Sequence, residues 1–410
     1  TQESVQKYYY EGKLLNKNIE ENNKFIIGNY SRYPISIIRG EGSYVYDSNN
    51  KKYLDFISGI AVNNLGHSNE GIKKAIIEQL DKLVHISNLF LIPSQIKLAK
   101  SLTSNLPRYK VFFCNSGTEA NEAAFKLARK WGIFNNKKTI ISVTGGFHGR
   151  TFGSLSATTP KKYKEGFYPL VPGFKTAKFN DINSIKSIIK EDKKILAVII
   201  EPIQGEAGVK ISDKKYLQEL FKICKKNKIL LIADEVQVGI GRTGKLFGFE
   251  NYDIKPDIIT LAKALGGGIP CGAIIANPDI SDFLTPGSHG TTMGGNPLAM
   301  ASGLSMLNQI KKPSFLINVN KKGELFLDKL KKLSSSDLIK EVRGKGLILA
   351  IEFYEEKKAK LFANKCIKNG LLVLITEKYN VRILPPLNVK NNEIIESIKI
   401  MKLVLEQINE

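Results

Sequence analysis

The feature that most constrains this fold is a series of short apolar runs that do not alternate. Thr139-Ile140-Ile141-Ser142-Val143 is one, and Leu196-Ala197-Val198-Ile199-Ile200 is another. Further runs occupy residues 111–114, 230–233, 258–261 and 272–276. A strand with one wet face alternates apolar with polar residues, whereas a strand covered on both faces does not. Helical stretches lie between the runs, the clearest beginning at Gly117 and continuing through Ala128. Doubly buried strands separated by helices build an α/β architecture with a largely parallel sheet. In such a sheet, ligands bind outside the carboxyl ends of the strands.

Two runs end on charge. One closes as Ala233-Asp234-Glu235, the other as Leu261-Ala262-Lys263-Ala264-Leu265-Gly266-Gly267-Gly268. Asp234 and Lys263 therefore fall at the ligand-binding end of the sheet, the lysine beside glycines that let backbone approach a ligand closely. Taken singly, a lysine after an apolar run is the polar end of a strand. Taken together, a buried lysine and a buried aspartate suit pyridoxal phosphate. The amine condenses with the aldehyde, and the carboxylate keeps the ring nitrogen protonated.

The flanks read differently. Residues 44–55 form a hairpin pattern around Asn49-Asn50. The last hundred residues mix short strands (347–353, 371–375) with helices (356–369, 392–407). The expected division is an N-terminal segment, 1–65, that joins a small domain and the active-site rim; a large domain, 66–308; and a C-terminal small domain, 309–410.

The net charge of +22 invites a polyanion partner, but only eight of the 61 basic residues are arginine. The lysines come as scattered pairs on helix faces, as at Lys73-Lys74 and Lys331-Lys332, where nucleic-acid readers lean on arginine and clustered stripes. Abundant Lys, Ile and Asn together point to coding bias, so no nucleic-acid partner is expected. Where arginine persists, it marks candidate positions for its planar, bidentate fork. The four cysteines show no CxxC spacing and form no ligand set with the four histidines, so no metal is expected. No run of about 18 apolar residues suggests a membrane span. A cytoplasmic protein is the expectation, or an organellar one if a targeting peptide has been removed, since residue 1 is Thr1 rather than Met.

Four further segments accompany the Asp234 and Lys263 motifs, in a fixed order. They are Asn115-Ser116-Gly117-Thr118-Glu119-Ala120-Asn121-Glu122, Gly145-Gly146-Phe147-His148-Gly149-Arg150, Glu201-Pro202-Ile203-Gln204-Gly205-Glu206 and His289-Gly290-Thr291-Thr292-Met293-Gly294-Gly295-Asn296-Pro297. With them the chain closely resembles the class III, fold-type I pyridoxal-phosphate aminotransferases, and among these the acetylornithine and ornithine aminotransferases. The resemblance implies a seven-stranded, mostly parallel sheet in the large domain and a smaller α+β domain drawn from both termini.

It also implies roles. Lys263 condenses with the cofactor and later shuttles a proton. Asp234 pairs with the ring nitrogen, Phe147 and Val236 sandwich the ring, and Gln237 reaches its phenolic oxygen. Ser116, Gly117 and Thr118 hold the phosphate; alone, they equally make an ordinary helix N-cap. Thr291 belongs to the cofactor-binding set, and Thr292 reaches the phosphate in the partner subunit, which implies a homodimer with shared sites. Arg150 binds the carboxylate common to both substrates, and Tyr30 lies near it. Arg382 binds the α-carboxylate of glutamate, and Glu206 covers Arg382 when the other substrate is present; without the resemblance, the two read equally as a plain ion pair.

The reaction so implied transfers the side-chain amino group of N-acetylornithine to 2-oxoglutarate, a step of arginine biosynthesis. Ornithine, succinylornithine and lysine-pathway substrates remain alternatives, as does an intramolecular aminomutase. Ile60-Ala61 resembles the acetylornithine members, the ornithine members tending to carry a Tyr-Ser pair there. A free α-ammonium beside these side chains loses water and gains no anion.

Overall fold

The computed structural model describes residues 15–333 and 337–409. A seven-stranded sheet lies at its centre. Its strands run in the order Lys110–Cys114, Gly272–Ala276, Ile258–Leu261, Leu230–Asp234, Ile195–Ile200, Thr139–Val143 and Phe174–Ala177. Neighbours are parallel except around Gly272–Ala276, which is antiparallel to both strands beside it.

The lack of alternation has a direct cause. Successive side chains of a strand point to opposite faces, and here both faces are apolar and dry. Ile140, Ala197, Ile199, Ile232, Ile258 and Ile274 pack with the small residues Ala120, Ala123, Ala124 and Ala128 of the helix Gly117–Phe134. Their neighbours Ile141, Val198, Leu231, Ile259 and Ala273 belong to the opposite core, with Leu217, Leu220 and Cys224 of the helix Lys214–Lys226. The strand Phe174–Ala177 has exposed middle residues, as its edge position dictates, and carries no apolar run to announce it.

The expected hairpin forms from Tyr44–Asp47 and Lys52–Asp55, with Tyr44 opposite Leu54. Asp47 Oδ1 accepts the N–H groups of Asn49 and Lys51 at 2.9 Å each, closing the turn. A strand at Ile37–Glu41 extends this sheet on one side and Leu371–Leu372 on the other. The apolar run 371–375, read as one strand, is thus divided. Leu371–Leu372 pairs parallel with Lys52–Asp55, and Leu374–Thr376 pairs with Asn380–Ile383 in a separate C-terminal sheet. That second sheet also holds Ile339–Lys345 and Ile348–Phe353. Among the described residues no helix is long and apolar enough to cross a membrane.

Candidate active site

The strand ends bring Asp234 and Lys263 to one cavity of about 470 Å³. Ser116, Gly117, Thr118, Phe147, Arg150, Glu206, Val236 and Gln237 also line it, so ten of the expected site residues meet there. They come from separate elements. Ser116 to Thr118 open the helix Gly117–Phe134, Phe147 and Arg150 follow the strand Thr139–Val143, and Glu206 lies between the short strands Ile203–Gln204 and Lys210–Ile211.

Lys263 follows the strand Ile258–Leu261 and starts a short 3-10 turn with φ of 45°, a left-handed conformation that costs a non-glycine residue about 1–3 kcal/mol. Burial lowers its ammonium to about 8, Arg382 adding to the effect while Glu206, Asp234 and Glu201 oppose it. Asp234 is nearly inaccessible. Its Oδ2 accepts from His148 Nδ1 at 2.8 Å and Asn121 Nδ2 at 2.9 Å, and its Oδ1 from the Val236 N–H at 3.1 Å. Burial pushes this carboxyl up, but these bonds and the His148 charge outweigh it and hold Asp234 below the usual carboxylate range. Glu201, fully buried, goes the other way: burial first and Asp234 second raise it well above its ordinary value, although it accepts the Phe147 N–H at 2.9 Å.

Ser116 is the N-cap of the helix Gly117–Phe134, its Oγ accepting from the Glu119 N–H at 3.3 Å. The N–H groups of Gly117 and Thr118 have no acceptor within the helix. Capping and anion binding are therefore compatible at one helix start. A Cβ on Gly117 would stand 2.8 Å from Val236 Cγ1 and close the cradle. Thr291 does not line the cavity but accepts through Oγ1 from Asn115, which does, at 3.1 Å. Thr292 is exposed.

Arg382, on the strand Asn380–Ile383, is fully buried just behind the cavity. Its Nη1 donates to Glu206 Oε1 at 2.6 Å and to Gln237 Oε1 at 2.9 Å, and Gln237 Nε2 donates back to Glu206 at 3.2 Å. Burial raises the Glu206 carboxyl, but Arg382 and Lys263 prevail and bring it down to about 2. Arg382 Nε and Nη2 have no partner among the described residues. Gly205 lets this cluster close, because a Cβ there would sit 1.7 Å from Gln237 Oε1. Arg150 is exposed and lies over the Tyr163 ring at 4.2 Å and the Phe147 ring at 5.5 Å. Tyr30 does not join the cavity. It is 69% exposed and lines a surface hollow with Arg32 and Tyr33.

His148, Asn121 and Glu201 support the site and received no role from the sequence. All three stood inside the quoted motifs, so a polar residue between glycines or on the inner helix face was the available signal. The cavity fits pyridoxal phosphate: a buried amine, a carboxylate kept anionic by three donors, a helix start with hydroxyls, and a glycine cradle that any Cβ would fill.

A family model described as aminotransferase class-III matches residues 27–405. The acetylornithine aminotransferase of Caldanaerobacter subterraneus subsp. tengcongensis is 45% identical over 94% of this chain and 98% of its own. That of Aquifex aeolicus is 45% identical over 93% of this chain and 100% of its own. Among solved structures, the ornithine aminotransferase from Toxoplasma gondii ME49 superposes with a TM-score of 0.93 at 29% identity, covering 98% of both chains. The acetylornithine aminotransferase from Elizabethkingia anophelis gives 0.86 at 35% identity, covering 96% of this chain and 99% of that one.

Proposed function

The chain belongs to the class-III aminotransferases, enzymes dependent on pyridoxal phosphate, and on that premise we propose that it takes the side-chain amine of N-acetylornithine and delivers it to 2-oxoglutarate. The products are N-acetylglutamate semialdehyde and glutamate, and the step serves arginine biosynthesis. One observation supports the choice of donor: kinship is 45% with an acetylornithine aminotransferase over 94% of the chain, against 35% with the ornithine aminotransferase from Plasmodium yoelii. Backbone likeness is high to both and does not separate them.

When bound, the cofactor supplies an aldehyde that condenses with amines and a ring that withdraws electrons from the neighbouring carbon. Ser116, Gly117 and Thr118 would hold its phosphate with N–H groups and hydroxyls. Asp234 would offer a fixed anion to the ring N–H, and Phe147 and Val236 apolar walls. Gln237 keeps a second amide N–H for the phenolic oxygen while bonded to Glu206. The value near 8 gives Lys263 a neutral fraction at pH 7.5 about 10²-fold above that of an ordinary lysine. Its Nζ takes the proton from the carbon bearing the departing nitrogen and hands it on.

Arg150 receives the carboxylate shared by both substrates, with Tyr30 near it once the assembly is complete. Arg382 receives the α-carboxylate of glutamate when Glu206 swings away. The unpartnered Nε and Nη2 of Arg382 support that assignment, since a carboxylate accepts two such donors at once. Thr292, exposed in the single chain, serves the cofactor of a partner subunit in a homodimer. The division at residues 65 and 308 and a cytoplasmic location belong to the same proposal.

Steady-state turnover tests the donor. Ile60 and Ala61 do not themselves line the cavity but precede Val62, which does, and an apolar approach there that offers no anion to a free ammonium predicts kcat/KM for N-acetylornithine at least about 10-fold above that for ornithine. Equal or reversed values reassign the enzyme to ornithine.

A further inference from the structure

Arg242 is fully buried and lies outside the cavity. Burial alone lowers its guanidinium, to about 9, with no neighbouring charge contributing. The buried cation is met by neutral oxygens. Its Nη1 donates to the Leu347 carbonyl at 2.9 Å and the Pro385 carbonyl at 2.6 Å, and its Nη2 donates to Asn64 Oδ1. The backbone is tied in as well: the Leu347 N–H donates to the Arg242 carbonyl at 3.0 Å.

These acceptors come from distant parts of the chain. Pro385 stands three residues after Arg382. Asn64 follows Val62, which lines the cavity, and Asn64 also bonds the Ile240 carbonyl through Nδ2 at 2.9 Å. The Leu387 N–H returns to the Asn64 carbonyl at 2.7 Å, and the Leu384 N–H donates to the Phe56 carbonyl at 2.7 Å. The residues after Arg382 are thus held against the N-terminal rim on one side and the loop after Gln237 on the other, with Arg242 at the junction. Only a planar fork can serve acceptors in these different directions; a lysine gathers its donors around one atom.

We infer that Arg242 is a positioning residue for substrate dicarboxylate recognition: through the Pro385 carbonyl and Asn64 it holds the Arg382 strand at the depth where Arg382 meets Glu206, Gln237 and the incoming carboxylate. The inference rests on the reading of Arg382 as the α-carboxylate site. A buried cation without an anion is expensive in any fold, so its retention calls for a use. It does not line the cavity. Its loss displaces the donors of Arg382 and weakens the half-reaction that depends on them.

The experiment uses the holoenzyme and glutarate, an unreactive dicarboxylate, with affinity read by calorimetry. Single-turnover rates of the N-acetylornithine and glutamate halves are measured alongside, below each variant's melting temperature. For Arg242→Lys we expect glutarate affinity and the glutamate half to fall about tenfold or more, while the N-acetylornithine half changes less than about threefold. Asn64→Ala, which removes one acceptor and keeps the arginine, gives a smaller loss in the same direction, about threefold, and decides the matter if the Arg242 variant does not fold. Equal loss in both halves, or unchanged glutarate affinity in whichever variant folds, overturns the inference. Arg382→Ala run in parallel separates the two claims. If it leaves glutarate binding intact, the carboxylate reading itself fails; if it abolishes binding while the Arg242 and Asn64 variants bind normally, only the positioning role fails.

Discussion

Glu206 is held anionic chiefly by the Arg382 guanidinium, which the proposed cycle requires it to release. Its carboxyl lies near 2 in the folded protein, below the ordinary 4.5. A folded-state value below the unfolded one contributes stability above about pH 4.5 and loses it as pH falls toward 2. Glu206→Gln should therefore be less stable than the parent at pH 7, by on the order of 2 kcal/mol, and the gap should narrow from about pH 4.5 downward and close only near pH 2. Thermal melts of the substrate-free protein across that range check it; a gap independent of pH removes the charge from the explanation. Single residues were legible where their type was scarce or their motif ordered. Lys263, Asp234 and Arg382 stood out in sequence, and Arg242 could have, being one of eight arginines. The partners of Asp234 were less visible, because nothing in the spacing of Asn121 and His148 says that both aim at one carboxylate oxygen.

At the scale of elements, the rim turn Ser58–Ala61 is built against the preference of its residues. Ser58, Gly59, Ile60 and Ala61 all have φ between 49° and 63°, and three of the four carry a Cβ. Each left-handed non-glycine costs about 1–2 kcal/mol. Asp55 compensates, accepting through Oδ1 from the N–H groups of Ile57 and Ser58 at 2.9 Å each while its Oδ2 meets His67 Nε2 at 2.8 Å. Ile60 is 38% exposed, so its side chain stabilises little. Ile60→Gly is expected to be no less stable than the parent to within about 1 kcal/mol, because relief of strain offsets added chain entropy. Denaturant midpoints measure this, and a larger destabilisation would show that the turn is not strained at Ile60. The doubly buried strands were legible because their apolar runs state both faces at once. The edge strand Phe174–Ala177 and the split at Val373 were not, since each depends on which neighbour supplies hydrogen bonds, and that is decided by residues far along the chain.

For the whole molecule, a shared-site dimer makes a prediction that no single chain can satisfy. Lys263→Ala and a Thr292→Ala variant, each severely impaired, should regain partial activity when mixed and allowed to exchange subunits. One site in the mixed dimer then carries neither change. Activity no greater than the sum of the parents, with exchange verified by mass, argues against the sharing. Assembly was only indirectly legible: an exposed threonine in an otherwise ordered turn has no reading until a second chain is supplied.

The reversed strand Gly272–Ala276 joins one neighbour near it in sequence to one far from it. Its pairing with Ile258–Leu261 is local, whereas its pairing with Lys110–Cys114 spans well over a hundred residues of chain. Contacts close in sequence form sooner than distant ones, because less loop entropy is lost in closing them. The hairpin that carries Lys263 can thus take shape before the Ser116 helix start arrives at its side. The two sides of the cavity thus rest on contacts of very different sequence separation, local pairing on the Lys263 side and the distant pairing of Lys110–Cys114 on the Ser116 side.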